Sequence, residues 1–188
     1  MPRSDDLMKL PEGLPAPADD GACRHLAGMR VPPLPLPSTR GGRVDLSRLA
    51  GRTVVYIYPR TGDPRKEPIP GWDQIPGARG CTPQSCAFRD HHAELTALGA
   101  QVYGLSAQGT ADQQEAAERL RLPFPLLSDE GLAFARALRL PTFGAAGMTL
   151  IKRITLIVRD GAIEKVFYPV FPPDKNAGEV VAWLRENP

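Results

Sequence analysis

The sequence predicts an α/β domain built on a mixed central sheet with helices on both faces. Three observations carry this. An almost wholly apolar, β-branched and aromatic run, Thr53-Val-Val-Tyr-Ile-Tyr58, suits a central strand buried on both sides. Strand-like and helix-like segments then alternate, which implies a parallel α/β half. Near the C-terminus, Arg153–Val158 and Ala162–Phe167 flank Asp160-Gly161, a strong hairpin signal that adds antiparallel strands.

Taken in order, residues 1–27 are rich in Pro, Asp, Ala and Gly and show no sustained period. They read as an N-terminal extension, mobile or draped over the surface, ahead of a domain at 28–188. Val31-Pro-Pro-Leu-Pro-Leu-Pro37 is an extended lead-in, because proline removes donors and fixes φ. Pro59 stops the first strand. Residues 62–80 carry Pro64, Pro68, Pro70, Pro76 and four glycines, and read as a long inserted loop.

A helix is expected from Thr82, with Thr82 as its cap, Pro83 at its first position, and Phe88, Leu95 and Leu98 facing inward. Gln101–Ser106 reads as a strand, Asp112–Leu122 as a polar amphipathic helix, Phe124–Leu127 as a short strand and Glu130–Leu140 as a helix. Glu179–Glu186 closes the chain as a final helix. The resulting order matches a thioredoxin-like fold, which by itself does not fix a chemistry.

Composition narrows the function. The 188 residues carry 23 basic and 21 acidic side chains without a basic stripe, so nucleic acid is not an expected partner. No run approaches the roughly 18 apolar residues of a membrane helix, and no apolar leader follows the N-terminus. A soluble cytoplasmic protein is expected, a monomer or homodimer, with no membrane partner. The three cysteines, Cys23, Cys81 and Cys86, do not make a structural disulfide framework. His25, His91 and His92 do not pair with them at zinc-finger spacings, and no metal or organic cofactor is implied. His91 and His92 read as a solvated pair, and Cys23 as an incidental thiol of the extension or a second resolving one.

Gly80-Cys81-Thr-Pro-Gln-Ser-Cys86 is the informative stretch. Cys81 stands at an expected helix start, where free N–H groups and the helix dipole stabilise a thiolate. A thiolate attacks peroxide to give a sulfenic acid, and a second thiol condenses with that to a disulfide. Cys86 is the near candidate. Five residues along an intact helix separate the Cα atoms by about 8.7 Å. A disulfide tolerates at most about 7 Å, so the first turn must unwind before the bond closes. The competing reading makes both cysteines small buried residues. A C-x-x-C pair of the thioredoxin-reductant type is absent.

Tyr58-Pro59-Arg60-Thr61, Gly80-Cys81-Thr82, Cys86-Ala-Phe-Arg-Asp90, Phe124-Pro-Leu-Leu-Ser-Asp129 and Arg153-Ile-Thr-Leu-Ile157 together resemble the peroxiredoxin family. The similarity is to its bacterioferritin-comigratory-protein or Q-type branch, over roughly residues 30–188. The resemblance implies a peroxidase reducing hydrogen peroxide and organic hydroperoxides. Cys81 would be the peroxidatic cysteine and Cys86 the resolving one, with thioredoxin or glutaredoxin as reductant. Arg153 matches the arginine that holds the peroxide. Pro59 and Thr61 match the motif's Pro and Thr, but the motif is Pro-x3-Thr-x2-Cys, and here Ala78 and Gln74 hold those spacings. The 62–80 insertion separates Thr61 from Cys81. Thr82 and Trp72 are further substrate-binding candidates, Trp72 as a roof over the pocket. Gln84 reads as a solvated helix residue. A thiol-disulfide oxidoreductase or redox sensor, and a catalytically idle binding module, are the alternatives.

Overall fold

The computed structural model describes residues 6–188; the first five residues of the expected extension lie outside them. A hairpin of β1 (Leu36–Pro37) and β2 (Arg43–Val44) leads into β3 (Arg52–Ile57). After the insertion come α1 (Cys81–Asp90), α2 (His92–Ala97), β4 (Ala100–Ser106), α3 (Thr110–Arg119), β5 (Leu126–Ser128) and α4 (Ala133–Ala137). A hairpin of β6 (Thr142–Ala145) and β7 (Met148–Ile151) follows, then β8 (Ile154–Arg159), β9 (Ala162–Phe167) and α5 (Asn176–Glu186).

The central sheet has five strands in the order β5-β4-β3-β8-β9. β3–β4 and β4–β5 are parallel, and β3–β8 and β8–β9 antiparallel, giving the expected mixed sheet. β3 lies in the middle, and its apolar run follows from that place. Val55 and Ile57 enter one core with Leu105, Leu156 and Phe134 of α4. Val54, Tyr56 and Tyr58 enter the other with Phe88 of α1 and Val180, Val181 and Leu184 of α5. Alternate residues of a strand point to opposite faces, so a strand covered on both sides must be apolar throughout.

Tyr56 ties the sheet to α1. Its ring stacks on Phe88 with centroids 4.5 Å apart, and its hydroxyl donates to Ser85 Oγ at 3.1 Å. Room for it comes from Gly104, its register partner on β4: a Cβ there would lie 2.8 Å from the Tyr56 hydroxyl oxygen and 2.4 Å from Leu126 Cδ2. A glycine inside a strand pattern often marks such a close approach.

Several sequence expectations change. The helix begins at Cys81, with Gly80 as its cap, two residues ahead of the expected Thr82 cap and Pro83 first position. It breaks at His91, giving two helices where one was expected. The extension is draped: Cys23 and Leu26 are buried in the main core. The β6–β7 hairpin went unpredicted. Its Phe143 and Leu150 pack with Trp72 and Ala78 of the insertion into a small separate core, so the insertion is ordered rather than looped out.

Candidate active site

Cys81 is the first residue of α1 and is 3% exposed. Gly80 turns the chain into the helix at φ +107°, with Pro173 Cγ only 2.3 Å from where a Cβ would stand. Glycine alone fits both the backbone angle and the contact. Cys81 thus stands at a helix start, whose unpaired N–H groups favour an anion, and its Sγ lies 3.7 Å from the Ala78 carbonyl oxygen.

Arg153 comes from the segment between β7 and β8 and is 4% exposed. Its Nη2 lies 3.2 Å from Cys81 Sγ. The same nitrogen donates to the carbonyls of Gly77, Ala78 and Arg79 at 3.2, 3.0 and 3.2 Å, and Nη1 donates to Gln84 Oε1. Gln84 is fully buried, against the expectation of a solvated helix residue. Its amide donates to Asn176 Oδ1 at 3.0 Å, and Thr155 Oγ1 donates to the same oxygen at 2.6 Å. A buried relay thus runs from β8 and the start of α5 through α1 to the arginine. Asn176 and Thr155 were missed in the sequence; Thr155 is hinted at only by its polarity inside the apolar run Ile154–Val158, and Asn176, among Asp174, Lys175 and Glu179, by nothing.

A pocket of about 50 Å³ opens beside the sulfur, and Cys81, Thr82, Trp72, Arg60 and Arg79 are among its walls. The Thr82 hydroxyl is buried and has no partner among the described residues. Trp72 is buried, its ring 6.2 Å from Phe143. Thr61 is buried elsewhere: its N–H and hydroxyl both donate to Gln108 Oε1, at 2.9 and 3.2 Å. Its neighbours Arg60 and Gly62 reach the pocket wall. Pro59 is buried at the end of β3.

Cys86 is a free thiol one and a half turns along α1, 7% exposed. Burial pushes its thiol upward against the opposing pull of Arg89. The helix is intact between the two cysteines, so a disulfide requires the first turn to open. Burial, together with the charges of Asp20 and Asp19, pushes the Cys23 thiol up to about 12, which leaves it a poor nucleophile while folded. His91 sits by Glu94, whereas His92 lies against the Phe124 ring, so they are not one solvated pair. Among the described residues no cluster of His, Cys, Asp and Glu is arranged to hold a metal ion.

A thioredoxin-type sheet that presents a single thiol at a helix start, under a guanidinium, defines a thiol-redox protein. The comparisons with known proteins agree. The redoxin family model matches residues 26–181. A chloroplastic peroxiredoxin Q of Oryza sativa subsp. japonica is 34% identical over 162 residues, covering 84% of this chain and 66% of its own length. That of Sedum lineare is 33% identical, with 84% and 77% covered. Among solved structures, peroxidoxin BcpB from Mycobacterium tuberculosis superposes with a TM-score of 0.70 at 28% identity, covering 86% of this chain and 97% of its own. A bacterioferritin comigratory protein of Xanthomonas campestris, studied for alkyl peroxide reduction, gives 0.64 at 25% identity, with 81% and 90% covered. The chain belongs to the redoxin family, in its peroxiredoxin Q branch, and spans just under two thirds of the length of the Oryza sativa relative.

Proposed function

We propose that this chain is a thiol-dependent peroxidase that reduces hydrogen peroxide and organic hydroperoxides at Cys81. The observation that carries the reading is the Arg153 guanidinium, 3.2 Å from the Cys81 sulfur at the start of α1. A guanidinium and a helix N-terminus together stabilise the thiolate, and the arginine's donors suit a peroxide oxygen.

The cycle balances in three steps. The Cys81 thiolate attacks one peroxide oxygen, the O–O bond breaks, and the leaving alkoxide or hydroxide takes a proton to become an alcohol or water. Cys81 is now a sulfenic acid. The first turn of α1 then opens, Cys86 attacks the sulfenic sulfur, and water leaves as the disulfide forms. A dithiol protein, thioredoxin or glutaredoxin, reopens it by exchange and is itself oxidised.

Thr82 supplies the unpaired hydroxyl to the peroxide, and Trp72 walls the pocket. Thr61, locked to Gln108, acts by fixing Arg60 and Gly62 in the pocket wall, and buried Pro59 supports the same turn. The cytoplasm is the proposed compartment, since it keeps thiols reduced; the plant relatives are named as chloroplastic. Among the described residues no helix is long and apolar enough to cross a membrane.

Thiol mapping tests the reading. The reduced protein receives one equivalent of hydrogen peroxide, is alkylated, digested and read by mass spectrometry. A fast Cys81–Cys86 disulfide is expected. Unmodified Cys81 after minutes with both hydrogen peroxide and an organic hydroperoxide sinks it.

A further inference from the structure

The redoxin match begins at residue 26, yet the extension ahead of it reaches the reacting centre. Leu7 lines the same pocket as Cys81, Thr82 and Trp72. Several contacts hold it there. The Asp6 carbonyl accepts from Arg79 Nη2 at 2.9 Å, and Arg79 also lines the pocket. A local turn closes on Asp6, whose carboxylate accepts from the Met8 N–H at 2.9 Å and whose carbonyl accepts from the Lys9 N–H at 3.2 Å. Leu10 Cδ2 lies 2.7 Å from the point a Cβ would occupy on Gly80, so the segment rests on the cap of α1 itself.

Leu7 joins Ile69 and Trp72 of the insertion as the apolar part of the pocket wall. The space beside the sulfur is about 50 Å³ and opens to solvent. One water needs roughly 10–15 Å³ on such a measure, so hydrogen peroxide fits, whereas a cumyl group has to press on the wall side chains. Of the apolar side chains in the wall, Trp72 is buried against Phe143 and Leu150, whereas Leu7 and Ile69 are only part-buried, Leu7 on a short turn of the extension.

We propose that Leu7 is a specificity-determining residue, closing the peroxide pocket against bulky hydroperoxides from a segment outside the family domain. The proposal rests on Cys81 being the thiol that meets peroxide. Shortening the side chain removes three carbons from the wall and admits a larger alkyl group; enlarging it does the reverse.

The test compares second-order rates of Cys81 oxidation by cumene hydroperoxide and by hydrogen peroxide. It uses the full chain, Leu7→Ala, Leu7→Trp, and Met8→Ala, which alters an exposed neighbour that does not line the pocket. The cumene-to-hydrogen-peroxide ratio is expected to rise about fivefold or more in Leu7→Ala and to fall in Leu7→Trp, a span typical of a few methylenes in an apolar wall. Met8→Ala should leave it where it was. A ratio unmoved in both Leu7 variants, with Cys81 still oxidised, overturns this proposal alone. Absence of Cys81 oxidation by either peroxide in the unaltered chain overturns the underlying reading and this one with it.

Discussion

Replacing Arg153 by methionine keeps the side chain's reach and removes its charge and donors. At 3.2 Å and an effective dielectric near 20, a guanidinium and a thiolate attract by about 5 kcal/mol. Part of that replaces hydration, and a hydrogen bond to a charged group contributes about 1.5–3 kcal/mol net. The smaller figure governs, so the rate of Cys81 oxidation at neutral pH should fall roughly 10- to 150-fold. Arg153→Lys keeps the charge, but one ammonium cannot serve the sulfur, the 77–79 carbonyls and Gln84 together. It should fall between the two. Stopped-flow oxidation with quenched alkylation gives the rate, and circular dichroism with thermal melts confirms that each variant folds. A folded methionine variant within about threefold of the parent would refute the assignment and leave the helix N–H groups as the activating element.

Three further outcomes are expected. Cys86→Ser should accumulate sulfenic acid at Cys81 and then sulfinic acid, read by intact mass, without turnover on a dithiol reductant; normal cycling would remove Cys86 from the resolving role. Gly104→Ala places a methyl 2.4 Å from Leu126 and 2.8 Å from the Tyr56 hydroxyl, and should cost about 1–3 kcal/mol, a fall of several degrees in Tm. Cys23 should resist a thiol reagent at neutral pH until the chain unfolds. Because its folded value is raised to about 12 from 9.0, its contribution to stability is complete below pH 9 and is lost as pH rises towards 12, which a pH series of melts on the parent and Cys23→Ala would show.

The fold was legible where local and global signals agreed. The apolar run of β3, the Asp160-Gly161 turn and the alternating segments each point to one mixed sheet, and both turn residues take the positive φ that a tight hairpin needs. The β6–β7 hairpin was not legible because its turn, Ala146-Gly147, and short strands carry no strong period, and its Phe143 and Leu150 are explained by Trp72 and Ala78 of the distant insertion. Cys81 and Arg153 could be picked out by their resemblance to a motif. Gln84 could not, because a glutamine in a first helical turn usually meets water. Its burial depends on Asn176, 92 residues away. The sequence also hid the N-cap: a threonine before a proline reads as a cap, but the chain turns into the helix two residues earlier, at Gly80, in a positive-φ conformation packed against Pro173.

The insertion is pinned at both ends by arginines of the domain that grips it. Arg119 of α3 donates to the Gly62 carbonyl at 2.8 Å, and Arg153 holds the carbonyls of residues 77–79. Both grips are on main-chain oxygens, which every amino acid possesses. At residues 62 and 77–79 the clasp itself asks for no particular side chain, while Trp72 and Ala78 are held by their packing on Phe143 and Leu150. A loop seated in this way can vary its exposed positions, such as Arg65 and Gln74, without losing its place on the domain.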